Sequence, residues 1–167
     1  MKIKIFKVIS LIVIVLIFIF IIYFKFIKIN RNIQNTVTDT YQTNCGEYKK
    51  GEVGIENKKL PVVIADDKCK IILGLSGNTN LNNGGMIFIF KKAGNYGFWM
   101  KDMNFALDIL WINDNYEIVG IEKSLSPSTY PNSFGQKYFA KYVLEVSAGY
   151  CEKNNIKVGD KLIFNQN

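Results

Sequence analysis

The densest run of chemically capable side chains lies between Phe98 and Asp108. Phe98-Trp99-Met100-Lys101 could form a pocket wall. Trp99 would be a stacking platform, Lys101 a cation for an anionic ligand, and Asp108 an acceptor. A plainer reading puts Trp99 and Met100 in a core and pairs Lys101 with Asp102 or Asp108. Glu145 adds a further carboxylate. Asp102, Asp108 and Glu145 could in principle do acid–base work or hold a hard cation. Carboxylates on adjacent strands more often pair with lysines. The candidate ligand-binding set is therefore Trp99, Lys101, Asp108 and Glu145, with no catalytic residue, metal ligand or cofactor assigned.

What is missing narrows the chemistry further. The 167 residues contain no histidine. Ser-His-Asp and Cys-His nucleophile systems and histidine metal sites are excluded. Three cysteines, Cys45, Cys69 and Cys151, cannot make a four-thiolate zinc site alone. They allow three single pairings. Cys69 with Cys151 is the candidate disulfide, since both fall on predicted short helices; three unpaired thiols is the alternative. Gly84-Gly85 lacks the spacing of a phosphate loop. Gly159-Asp160 reads as a turn.

The charge has a location. The chain carries 21 basic and 14 acidic residues, a net +7. Six of the basic residues, Lys2, Lys4, Lys7, Lys25, Lys28 and Arg31, lie in residues 1–31, which hold no acid. The rest of the chain is nearly neutral at +1, too little for the basic face that nucleic acid requires. The six bracket Val8 to Phe24, apolar apart from Ser10 and the Tyr23 hydroxyl. As a helix this run spans about 25 Å at ~1.5 Å per residue, within reach of a bilayer core once flanking lysines snorkel. A lone span in lipid must be helical, because only a helix satisfies every amide internally. No small-residue cleavage site follows, which favours a retained anchor over a signal peptide. The lysine balance slightly favours a cytoplasmic N-terminus and an extracytoplasmic C-terminal domain.

These residues need elements to position them. Residues 1–31 are expected to be the anchor, 32–59 a polar tether with a short strand or turn near Glu52 to Ile55, and 60–167 a compact β-rich domain. Strands are predicted at Leu60–Ala65, Met86–Phe90, Gly97–Lys101, Leu107–Asn113, Tyr116–Lys123, Tyr138–Val146 and Lys161–Phe164. Asp66 is the predicted N-cap of a helix over Asp67–Leu73. A second short helix is predicted over Ala148–Asn154, and a loop over Leu125–Gln136. The fold class is α+β: mostly antiparallel, small and barrel-like, with two short helices, preceded by one transmembrane helix.

Five motifs in order then resemble the domain-of-unknown-function family 192. They are Gly74-Leu75-Ser76-Gly77, Gly85 to Phe90, Phe98-Trp99-Met100-Lys101-Asp102-Met103, Leu107 to Ile112, and Tyr142 to Gly149 continuing into Ile156 to Asp160. The resemblance covers residues 60–164 and implies a compact β-rich domain, with no activity or cofactor attached. The family commonly has arginine in the helix where this chain reads Lys70-Ile71-Ile72-Leu73, and proline at Ala106.

The expected function is a module that binds a small ligand or an envelope protein, held at the bilayer through Val8 to Phe24. One alternative is a carboxylate-dependent hydrolase of envelope carbohydrate using Asp108 and Glu145. Another is a purely structural or assembly role.

Overall fold

The computed structural model describes residues 16–29 and 45–166. Two units are distinct, residues 1–40 and 41–167. In the first, residues 16–29 form a helix, α1, whose large apolar side chains are exposed from Leu16 to Ile29. No helix among the described residues is long and apolar enough to cross a membrane. The first half of the expected span, 8–15, lies outside the described residues.

The second unit is built on one seven-stranded sheet. Its strands are β1 (Lys49–Ile55), β2 (Lys58–Ala65), β3 (Gly85–Asn95), β5 (Leu107–Ile112), β6 (Ile118–Leu125), β8 (Phe139–Ser147) and β9 (Leu162–Gln166), in the spatial order β6-β5-β8-β3-β2-β1-β9. Two short strands, β4 (Phe98–Trp99) and β7 (Ser133–Phe134), pair separately. All pairings are antiparallel except β2 with β3. A parallel pair needs a crossover, which here carries helix α2 (Lys68–Leu73). Helix α3 (Tyr150–Lys153) follows β8, and a 3-10 turn, Pro127–Thr129, interrupts the long loop after β6. The two edges of the sheet meet at one end. Glu117 bridges Lys161, and the Ile118 and Leu162 amides donate to the Asp160 and Tyr116 carbonyls. The result is a half-barrel.

Several expected boundaries move. From Lys49 onward the supposed tether is strand β1, paired on both sides. Its alternation puts Val53 and Ile55 in the core, with Glu52 and Gly54 at the intervening positions. The N-cap of α2 is Asp67 rather than Asp66. The Asp67 carboxylate accepts the Lys70 amide at 2.9 Å, and that bond holds its carboxyl below the ordinary value. Asp66 pairs with Lys49 at 2.7 Å instead.

Strand β5 is buried along its whole length, so both faces of the sheet are covered. One face packs Val53, Ile64, Leu110, Ile118, Leu144 and Cys151. The other packs Phe88, Met100, Ile109, Trp111, Ala140 and Val143. Burial at ~25 cal/mol per Å² is what holds each face.

Candidate ligand cleft

On the second face, the α2–Gly74 segment and the Tyr96–Met103 segment stand apart and leave a cleft of about 230 Å³. Its aromatic wall is self-supporting. Phe90 stacks on Tyr96 at 3.5 Å, and Phe98 meets Phe88 edge-on at 4.8 Å and Trp111 at 6.1 Å. The Trp111 indole N–H donates to the Tyr96 carbonyl at 2.9 Å, pinning the turn between β3 and β4. The Ser76 hydroxyl donates to the Lys101 carbonyl and the Gly77 amide to the Asp102 carbonyl, which joins the two rims.

Trp99 and Lys101 line this cleft, and so does Glu145. Trp99 is 53% exposed while its neighbour Met100 is buried. Alternation along the extended segment separates them, placing Trp99 at the cleft wall and Met100 in the core. Lys101 sits at the mouth, 3.9 Å from Asp102 and half exposed. Glu145 is deeply buried, and its Oε2 has no hydrogen-bond partner. Burial alone pushes its carboxyl up to about 8. A second groove of about 500 Å³ shares Ile72, Leu73, Ser76, Trp99 and Lys101 with the cleft and continues to Cys45 and Cys69.

Asp108 lies elsewhere. It is opposite Val146 in the β5–β8 register, on the face that carries Cys151. Its carboxylate accepts the amides of Ser124 (2.8 Å), Gly149 (3.2 Å) and Cys151 (2.9 Å). It anchors the start of α3 to the sheet and lines neither the cleft nor the groove beside it. Glu145 is opposite Ile109, so it faces the other side. The carboxylate pair required for glycoside hydrolysis would have to converge on one bond; these two diverge, and the hydrolase alternative built on them is excluded.

The disulfide also differs from expectation. It joins Cys45 to Cys69, not Cys69 to Cys151. Cys151 is a free, buried thiol, pushed up to about 12 by burial and then by the neighbouring Asp108 carboxylate. Cys45 falls in the expected tether, and its pairing with Cys69 is one of the three that the sequence allows. Among the described residues no group of three or more metal-ligating side chains forms. Phe88, Phe90 and Tyr96 also line the cleft and are not in the candidate set read from the sequence; the density of aromatic residues from Phe88 to Trp99 is the signal for them.

Two solved structures share the architecture. A protein from Sinorhizobium meliloti, described as a proposed transcription regulator, is 27% identical with a TM-score of 0.67, covering 71% of this chain and 98% of that one. A protein of unknown function from Novosphingobium aromaticivorans is 23% identical with a TM-score of 0.62, covering 70% and 84%. No curated protein matches the chain. The family model described as DUF192, uncharacterised ACR, matches residues 49–164, from the start of β1 into β9, and the chain belongs to that family.

Proposed function

We propose that this protein is a binding module that takes a small ligand in the cleft beneath Trp99, displayed outside the cytoplasm on an N-terminal membrane anchor. The observation that carries the reading is the buried, unpartnered Glu145 carboxyl in a cleft with an exposed tryptophan at its wall. The Trp99 ring meets Tyr130 edge-on at 5.8 Å and leaves about half of its surface open. An unsatisfied buried oxygen costs about 1–3 kcal/mol, and an exposed indole forgoes its burial. Trp99 stacks on the ligand body, Lys101 meets a polar or anionic group at the mouth, and Glu145 meets the buried end.

The location rests on two supports. The exposed apolar side chains of residues 16–29 continue the apolar run that begins at Val8. The Cys45–Cys69 disulfide fits an oxidising compartment. The regulator description of the Sinorhizobium protein does not carry over to a nucleic-acid role here, since residues 32–167 carry only +1.

The test is calorimetric titration of the full chain with benzyl alcohol, a neutral aromatic probe of cleft size. Saturable binding that Trp99→Ala weakens, without lowering the melting temperature, supports the cleft as the site. Binding unchanged by Trp99→Ala, or none at all, refutes it.

A further inference from the structure

The chemistry of the buried end can be taken further, on the reading that the cleft is the binding site. We propose that the cleft receives a primary ammonium group carried on a small apolar or aromatic stem, with Glu145 as its counter-ion. Glu145 lacks a protein partner of its own. The residue opposite it on β3 is Met86 and on β5 is Ile109, neither of which ionises. It takes part in none of the ion pairs among the described residues. The other titratable groups lining the cleft are Lys101 and Tyr96. Lys101 is half exposed at the mouth beside Asp102, and the Tyr96 hydroxyl already donates to the Lys92 carbonyl at 2.7 Å.

An ammonium supplies what is missing. It brings an N–H donor for Oε2 and a positive charge that stabilises the ionised carboxylate in a dry site. The five aromatic side chains of the cleft, Phe88, Phe90, Tyr96, Phe98 and Trp99, present ring surface that favours a cation over a neutral head group. The volume of about 230 Å³ is below the ~300–1,000 Å³ of drug-sized sites. The occupant is therefore small. Lys101 at the mouth stays available for an anionic group at the far end of the same molecule. When the ammonium binds below about pH 8, the Glu145 proton is released to solvent and an ion pair replaces the neutral acid.

Benzylamine and benzyl alcohol share a stem and differ in charge, and both are titrated into the full chain between pH 6 and 8. The expected result is benzylamine about tenfold or more tighter at pH 8. Its affinity falls up to about tenfold per pH unit below that, while benzyl alcohol keeps its affinity. Glu145→Gln removes both the preference and the pH slope. The slope is read on the unaltered protein, so it stands even if that variant folds poorly. Benzyl alcohol binding as tightly at pH 8, or a preference that survives Glu145→Gln, overturns the ammonium while leaving a Trp99-dependent cleft in place. Failure of both probes to bind overturns the inference and the cleft together.

Discussion

Asp108 and Glu145 sit on neighbouring strands one residue out of register, so their carboxyls leave the sheet on opposite faces. Asp108 is opposite Val146, and Glu145 is opposite Ile109. Because side chains alternate with a period of two, that single step separates a structural carboxylate from a cleft carboxyl. One is met by three amides, the other by none.

Asp108→Ala therefore leaves three amide donors without their acceptor. Unfolding in urea should show a loss of about 3–5 kcal/mol, the range for breaking a buried charged network. Trp99→Ala, at an exposed position, should change stability by no more than about 0.5 kcal/mol. Equal losses in the two variants would contradict these assignments.

Glu145 makes stability depend on pH. The folded protein keeps its carboxyl proton up to about pH 8, while the unfolded chain releases it near 4.5. Stability from this group is at its full value below about 4.5, declines as pH rises, and levels off above about 8. The decline is on the order of several kcal/mol. Melting temperatures across this window should fall for the wild type, and the fall should be much reduced in Glu145→Gln.

The three thiols should behave unequally. Non-reduced protein should weigh two hydrogens less than the reduced form. Cys151 should resist alkylation until the protein is unfolded, because its thiol is buried and held at about 12. Breaking the Cys45–Cys69 link, which spans a sequence separation of 24, should cost about 3 kcal/mol in denaturant melts. Alkylation of Cys151 in native protein at a rate matching a free thiol would refute its burial.

Gly135 permits a close approach that no side chain allows. Its φ is +84°, and a Cβ there would run into the Trp111 ring. Trp111 in turn holds the Tyr96 turn of the cleft wall. Gly135→Ala should lower stability by more than about 2 kcal/mol and weaken benzyl alcohol binding as well. A melting temperature like the wild type's would show that the loop simply shifts.

The proposed anchor gives a cellular prediction. Full-length chain should stay with membranes through alkaline extraction, and deletion of residues 1–31 should release it. Release of the full chain by alkali alone would refute an integral anchor.

Much of the half-barrel was legible residue by residue. Leu60–Ala65, Met86–Phe90 and Leu107–Asn113 read as strands because of their β-rich apolar runs, and strands lie at each, the last ending at Ile112. The Asp114-Asn115 turn was also readable; Asn113 Oδ1 closes it by accepting the Asn115 and Glu117 amides. Strand β1 was legible only as a short strand or turn near Glu52 to Ile55, because Lys50, Glu52 and Gly54 fill its alternate positions and its large core residues, Val53 and Ile55, are only two. Of the candidate site, Trp99, Lys101 and Glu145 meet in one cleft and Asp108 does not. Residue type could not separate the two acids, since an acceptor for backbone amides and an empty cleft carboxyl are the same chemical group.

The sequence by itself determined the location of the charge, the absence of histidine chemistry, the order of the β-rich elements and the family. These depend on composition and on local periodicity. The tertiary structure decided which cysteines meet, which acid is satisfied and which aromatic faces outward. Those outcomes depend on strand register and on contacts between distant segments, where a shift of one residue exchanges one face of the sheet for the other.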